Sequence, residues 1–495
     1  MCGIAGVYGS YDQYLDHALG RMAHRGPDGR AVQRLSHGSL GHARLSIVDL
    51  DGGRQPMSDT GGTRWLVCNG EIYNHQALRS RYPNYPFKTQ SDSEAILAVY
   101  DHTGPEGIAH LDGMFAFALL DGDKLVLARD PLGIKPLYYG WKDGTLHFAS
   151  EIKALQSIVD QAMEFPPGHW YSTTTGFVPY YKVKTTAEAA RHRAAPTLSD
   201  IQTGLQAAVH KRLMSDVPLG VFLSGGLDSS IIAALVRQEL GQVHSFAVGL
   251  KDSTDLEYAR QAARHLGTQH HEYVYTPAEM LTVLPDVIYY LESFDPALVR
   301  SAIANFFLAR LASEYVTVVL SGEGADELYA GYDYLRRFNV GDDLHRELVE
   351  TTSELHNRNL QRLDRMTMAH GLEGRVPFLD AQFVELSFAV PVSQKVGGTP
   401  TIRKWVLRKA FEHLLPVEIV YRAKQKFAEG TGSARVIEHI AASTIDDDQF
   451  AAETGQVFEE TGHLIQSKEE LYYYRIFRQF FEAPVTTLVG RSRSL

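Results

Sequence analysis

The sequence predicts an α/β chain of two domains, and three observations carry that reading. Residues 1–183 are dense in short β-like runs separated by Gly-containing turns. Residues 184–200 lose the apolar pattern and turn to Ala, Thr, Arg and Pro, the signature of a linker. From 201 to 480 short apolar strands alternate with helical stretches, the pattern of a parallel sheet wrapped by helices. At 495 residues the chain has room for more than one core, because single domains run to roughly 100–200 residues.

Taken in order, the β-like runs of the first domain are 4–8, 66–68, 115–120, 125–128 and 137–140. Segment 92–100 instead has helical spacing, with Ile96, Leu97, Val99 and Tyr100 apolar. In the second domain, 201–214 reads as a helix and 221–223 as a short strand ending in Ser224-Gly225-Gly226. Helix 229–240, strand 243–248, helix 257–266 and strand 316–320 follow, and from 344 the pattern is mainly helical. Residues 481–495 form a tail, and neither that tail nor 436–466 carries a functional signal.

Composition narrows the function class. Hydrophobic residues make up 44% and charged residues 22%, as in ordinary globular proteins. A net charge of -11 gives no basic footprint for nucleic acid or an anionic membrane, so small-molecule substrates are expected. Two cysteines, Cys2 and Cys68, make no disulfide framework. With no signal pattern and no apolar run of about 18 residues, a cytoplasmic protein is expected. The 21 histidines and two cysteines show no zinc-ligand spacing, and His270-His271 reads as a loop or strand pair.

The chain opens Met1-Cys2-Gly3-Ile4. Removal of Met1 leaves Cys2 with a free α-amine of pKa near 8, a general base beside its own thiol. Position alone would make Cys2 a small buried hydrophobe. Five further segments change that: His24-Arg25-Gly26-Pro27-Asp28, Gly41 through Asp49, Asn69-Gly70-Glu71-Ile72-Tyr73-Asn74, Ser91-Asp92-Ser93-Glu94 and Arg129-Asp130-Pro131-Leu132-Gly133. In this order they resemble the class II glutamine amidotransferases, which implies an αββα Ntn-hydrolase sandwich. The chemistry suits the residue types. Arg44 can clamp the glutamine carboxylate bidentately, and Glu71 and Asp92 can hold its ammonium. Asn69 and the Gly70 N–H can stabilise the oxyanion, and Gly70 admits close backbone approach. Leu45, Ser46, Ile47 and Val48 complete the expected glutamine pocket. Cys68 is expected in the core.

The second site is Leu223-Ser224-Gly225-Gly226-Leu227-Asp228-Ser229-Ser230, between a strand and a helix. Glycine amides, serine hydroxyls and a helix N-terminus suit phosphate, and Asp228 can hold a phosphate-bridging Mg²⁺. The loop lacks the Walker ending and resembles that of the ATP-pyrophosphatases. A later strand ends in Ser321-Gly322-Glu323-Gly324-Ala325-Asp326-Glu327, where ligands bind a parallel sheet. There Glu323 and Asp326 can bind metal, position a substrate amine or handle protons. The run 421–427 supplies Lys424, a cation for the α-phosphate.

An amidotransferase half joined to this ATP half resembles the glutamine-hydrolysing asparagine synthetases, over roughly 1–435 and again near 467–477. That resemblance implies ATP and Mg²⁺, the substrates glutamine and aspartate, and a homodimer. It implies a β-aspartyl-AMP intermediate and ammonia channelled through an internal tunnel. It places Leu223, Ser224, Gly225, Gly226, Asp228, Ser229, Val248, Ser321 and Gly322 at ATP, Arg300 and Asp326 at the acceptor, Asp228 and Asp326 at metal, and Glu323 and Lys424 in catalysis. One run departs: a Thr-Thr pair of that family is replaced by Ala297-Leu298 before Arg300, so a related amidotransferase acting on a different carboxylate is the alternative. Ring-forming relatives typically lose the N-terminal cysteine, and a scaffold protein would have lost the site residues present here.

Overall fold

The computed structural model describes residues 1–9, 14–183, 195–397, 402–425, 427–432 and 435–490. Residues 184–194 of the expected linker and 491–495 of the expected tail lie outside the described residues.

Among the described residues, the first half contains twelve strands in two antiparallel sheets. They are β1 (Gly3–Tyr8), β2 (Gly29–Leu35), β3 (Gly38–Arg44), β4 (Met57–Ser58), β5 (Arg64–Ile72), β6 (Gly113–Asp121), β7 (Lys124–Arg129), β8 (Tyr138–Lys142), β9 (Thr145–Ala149), β10 (Met163–Glu164), β11 (His169–Ser172) and β12 (Gly176–Pro179). One sheet runs β10-β8-β9-β1-β3-β2 and the other β12-β11-β7-β6-β5-β4. Among the described residues, three α-helices accompany them: α1 (Tyr14–Arg21), α2 (His75–Arg81) and α3 (Glu94–Thr103).

β6 shows why the sheets stack as they do. Its side chains alternate with the strand period of two. Ala116, Ala118 and Leu120 meet Ile4, Leu40 and Phe148 of the opposite sheet. Phe115, Phe117 and Leu119 point the other way, into the core under α3 with Ile96, Leu97 and Val99. Leu15, Ala18 and Leu19 of α1 cover the outer face of the first sheet at Ala5, Val7 and Ala43. The result is the αββα sandwich.

The second half is built on five parallel strands: β13 (Leu219–Phe222), β14 (His244–Gly249), β15 (Gln269–Val274), β16 (Val318–Leu320) and β17 (Glu373–Arg375), ordered β15-β14-β13-β16-β17. The chain steps outward from β13 to β15, then returns to place β16 on β13's other side. The strand order therefore reverses between β13 and β16, the position where open α/β sheets bind ligands at their carboxyl ends. His270 and His271 lie in β15.

The helices of this half include α4 (Leu198–Lys211), α5 (Leu227–Leu240), α6 (Thr254–Leu266), α7 (Pro277–Leu291), α8 (Pro296–Ser313), α9 (Asn359–Met368), α10 (Ala381–Ala389), α11 (Asp447–Thr461) and α12 (Lys468–Phe477). α4 starts three residues earlier than the periodicity suggests. The cause is a capping box, in which the Thr197 hydroxyl accepts from Asp200 N and the Asp200 carboxylate accepts from Thr197 N. The acidic run at 446–448 has a similar local role, since Asp446 caps α11 through a capping box with Gln449.

Candidate active sites

Cys2 lies just before β1, where the two stacked sheets approach the second half. Its buried thiol points to the Leu45 carbonyl, with Sγ 3.7 Å away. Burial pushes the thiol pKa up, opposed by the nearby N-terminal ammonium. Cys2 N donates to Asn69 Oδ1 at 3.0 Å. That bond turns the other end of the Asn69 amide, Nδ2, to a buried position with no hydrogen-bond partner among the described residues. An unmet buried donor costs about 1–3 kcal/mol, so a ligand oxygen at this point is favoured.

Gly70, next along β5, has φ +143, and a Cβ there would lie 2.0 Å from the Met114 carbonyl oxygen. No side chain fits. Glu71 shares a face of β5 with Asn69, two residues on. Asp92 Oδ2 accepts from Ile72 N at 2.6 Å. Burial raises the Glu71 pKa well above its usual value, helped by Asp92 and Glu373 and opposed by Arg375. Burial also raises Asp92, opposed by the Ile72 N–H. Two carboxyls are thus buried close together, and when ionised they can hold a cation.

Arg44, at the end of β3, donates to the carbonyls of Asp49 at 2.8 Å and Leu50 at 2.9 Å. The intervening loop is pinned by Ser46 N to Asp28 Oδ2 at 2.7 Å, while Leu45, Ile47 and Val48 pack beside Met1. Cys68 is buried among Ile96, Leu97 and Phe117, under α3. The second half also borders this site. The Met1 amine lies 3.1 Å from Glu373 Oε2, and Arg375 reaches within 4.0 Å of Glu71.

The other site is a cleft of about 370 Å³ at the β13/β16 switch point. Leu223, Ser224, Gly226, Asp228, Ser229, Val248, Ser321, Gly322, Glu323, Asp326 and Lys424 all line it. Gly225, inside the loop, has φ +66, and a Cβ would fall 2.2 Å from the Tyr258 backbone. Gly226 is the N-cap of α5 with no side-chain cap, so the first N–H groups of α5 remain for a ligand.

Asp326 Oδ2 lies 2.6 Å from Lys424 Nζ, and its Oδ1 lies 2.5 Å from Lys404 Nζ. Lys404 also reaches Asp228 Oδ2 at 2.6 Å. Burial alone would raise the Asp326 pKa, but the two ammonium groups outweigh it and hold it well below the usual carboxylate range. The same carboxylates hold Lys424 charged against burial. Sequence reasoning missed Lys404, and also the Arg422–Asp255 pair at 2.6 Å, whose guanidinium donates to the Ser224 carbonyl at 3.0 Å.

These residues fit Mg²⁺. Asp228 and Asp326 already share one cation, and Asp228 Oδ1 is buried with no hydrogen-bond partner among the described residues. No cluster of three or more metal-ligating side chains occurs among the described residues. Two hard carboxylates suit an ion that completes its shell with phosphate oxygens and water.

Arg300 is the expected site residue that the structure places elsewhere. It does not line the cleft. Its guanidinium pairs with Glu469 of α12, and Glu438 lies 3.8 Å away. The reason is the phase of α8. Asp295 caps that helix by accepting from Leu298 N at 2.9 Å, and Leu298 and Val299 turn into the core. Asn305 and Leu308, further along α8, reach the cleft instead. The departure at Ala297-Leu298 therefore falls outside the cleft wall.

Residues 1–176 match the glutamine amidotransferase domain family, and residues 200–341 and 336–493 match the asparagine synthase family. The chain is 38% identical to asparagine synthetase B [glutamine-hydrolyzing] of Escherichia coli (strain K12), over 98% of this chain and 92% of that one. It is 37% identical to asparagine synthetase [glutamine-hydrolyzing] of Triphysaria versicolor, over 97% and 86%. It is 36% identical to a probable asparagine synthetase [glutamine-hydrolyzing] of Dictyostelium discoideum, over 97% and 94%. With both domain families matched and the similarity spanning nearly the whole chain, this protein belongs to the glutamine-hydrolysing asparagine synthetase family.

Proposed function

We propose that the chain makes asparagine from aspartate, ATP and glutamine through two separate sites. Removal of Met1 leaves the Cys2 α-amine to take the thiol proton. The sulfur attacks the glutamine amide carbon, and Asn69 Nδ2 and the Gly70 N–H donate to the oxyanion. Collapse breaks the C–N bond as the α-amine passes that proton to the departing nitrogen, ammonia leaves, and water hydrolyses the thioester to glutamate and the free Cys2 thiol. Arg44 takes the substrate carboxylate, Glu71 and Asp92 its ammonium, and Leu45 through Val48 the pocket wall.

In the cleft, Leu223 through Ser229, Val248, Ser321 and Gly322 hold ATP. An oxygen of the aspartate β-carboxylate attacks the α-phosphorus, and the bond to pyrophosphate breaks. Lys424 offsets the charge that develops there, and Glu323 orients the reacting groups. Ammonia then attacks the acyl carbon and AMP departs. Bound Mg²⁺, held by Asp228 and Asp326, would neutralise phosphate charge. The net charge of -11 gives no basic footprint for nucleic acid or an anionic membrane, and we read the chain as a cytoplasmic enzyme of small metabolites. The family relationship supports a homodimer.

One observation carries this reading: a single chain holds a buried thiol beside an unmet amide donor, and a phosphate-type loop where two carboxylates and two lysines converge. The test supplies aspartate, ATP, Mg²⁺ and ammonium chloride and follows nucleotides by chromatography. Equal amounts of asparagine, AMP and pyrophosphate are expected. ADP and phosphate, or no aspartate-dependent product, would contradict it.

A further inference from the structure

Helix α9 grips both sites at once. Arg362 forms an ion pair with Glu323, and Asn359 Nδ2 donates to Glu327 Oε1 at 3.2 Å, so α9 holds the acidic loop of the cleft. Two residues after Arg362, Asp364 accepts both terminal nitrogens of Arg25, at 2.8 and 3.1 Å. Arg25 Nε donates in turn to the Cys2 carbonyl oxygen at 3.0 Å. A continuous path therefore runs from the half-buried Glu323 through the buried Arg362, α9, Asp364 and Arg25 to the backbone of Cys2.

The path is stiff for physical reasons. Along a helix, two residues advance about 3 Å, so the two anchors move together. The forked Arg25–Asp364 contact fixes orientation as well as distance. A buried charge that loses its partner cannot turn to water, so these contacts follow the helix rather than break. Further down α9, Arg365 pairs with Glu292 at 2.9 Å and Met368 packs against Met1, Leu45 and Ile47. Substrate that engages Glu323 competes with Arg362 for the same carboxylate, which gives filled and empty clefts different contacts on α9.

We propose that Asp364 is a positioning residue for glutamine hydrolysis, acting on Cys2 through Arg25, and that Arg362 transmits the state of the synthetase cleft to it along α9. This rests on the two-site reaction proposed above. The experiment measures kcat and KM for glutamine with and without saturating aspartate and ATP, alongside ammonium-dependent asparagine synthesis. Asp364→Asn, which keeps the shape but not the charge, is expected to lower glutaminase kcat by roughly ten-fold with KM for glutamine little changed. Its ammonium-dependent synthesis stays within about two-fold of wild type. Arg25→Lys, which keeps the charge but loses the fork, shows the same split, and Asp364→Glu recovers part of the rate. In the wild type, aspartate and ATP change the glutaminase rate by at least about two-fold, and Arg362→Gln removes that response.

An unaltered glutaminase in both Asp364→Asn and Arg25→Lys overturns the proposal. So does a wild-type glutaminase indifferent to aspartate and ATP, or a parallel loss of both activities with lowered thermal stability. A wild type that makes no asparagine even from ammonium overturns the two-site reading instead.

Discussion

Lys404 Nζ lies 2.6 Å from Asp228 Oδ2, joining residues 176 positions apart across the mouth of the cleft. The lysine is almost fully buried and its backbone is left-handed, with φ +55. A non-glycine residue held there costs about 1–3 kcal/mol and tends to mark a functional position. Lys404→Met is expected to reduce asparagine synthesis by roughly 100-fold with either nitrogen donor, because a preorganised cation is lost where phosphate charge develops. Glutamine hydrolysis without ATP is expected to persist. A loss of both activities together would make Lys404 a structural strut.

Lys404 also shows where the sequence stops being legible. Cys2, the Ser224-to-Ser229 loop and the 321–327 loop announce themselves locally, since a nucleophile at a chain start and glycines between strand and helix have short-range signatures. The αββα layers follow from period-two alternation such as that of β6. Lys404 gains its role from Asp326 and Asp228, 78 and 176 positions away, Arg422 from Asp255 and Ser224, 167 and 198 away, and Glu373 from Met1 in the other half, and no local pattern shows those partnerships. Arg300 illustrates the converse. A position matched along the chain still depends on helix phase, and α8 aims it at Glu469.

Glutamine binding should weaken toward acid. Burial and Asp92 raise the Glu71 pKa, so the empty site takes up a proton at higher pH than an exposed glutamate would. The glutamine ammonium prefers the ionised pair, so binding must expel that proton and is disfavoured as pH falls through the raised value. Calorimetric Kd of Cys2→Ala for glutamine is expected to rise steadily from neutral pH to pH 5. Glu71→Gln should bind weakly at all pH values with a flatter profile. A flat wild-type profile would remove Glu71 from ammonium recognition.

Asn69→Ala tests the oxyanion donor. Its Nδ2 has no hydrogen-bond partner among the described residues, so its loss should lower glutaminase kcat by about 100- to 1,000-fold. Ammonium-dependent synthesis should continue. A change confined to KM would instead make Asn69 a binding residue.

Lys395 is a stability prediction outside either site. Its ammonium sits over the rings of Phe388 at 4.9 Å and Tyr329 at 5.7 Å, with no hydrogen-bond partner among the described residues. Burial brings its pKa down to about 7. Between about pH 7 and 10 the unfolded chain binds this proton and the folded chain does not, so wild-type stability falls as pH is lowered through that window and levels off below it. Nearby His345, also lowered by burial, stays neutral there. Lys395→Met should be more stable than wild type at pH 7, and the gap should close toward pH 10. Urea melts across that range check it; a gap independent of pH would contradict the buried-charge argument.

The central claim is that nitrogen freed at Cys2 is delivered to the cleft of the same chain. The direct measurement supplies glutamine labelled with ¹⁵N at its amide, together with aspartate, ATP, Mg²⁺ and unlabelled ammonium, and reads the amide label in asparagine by mass spectrometry. The wild type is expected to place ¹⁵N in asparagine well above the labelled fraction of free ammonium, while Cys2→Ala makes only unlabelled asparagine. Wild-type asparagine labelled no more than the free ammonium pool, or a Cys2→Ala variant that still transfers ¹⁵N, would contradict it.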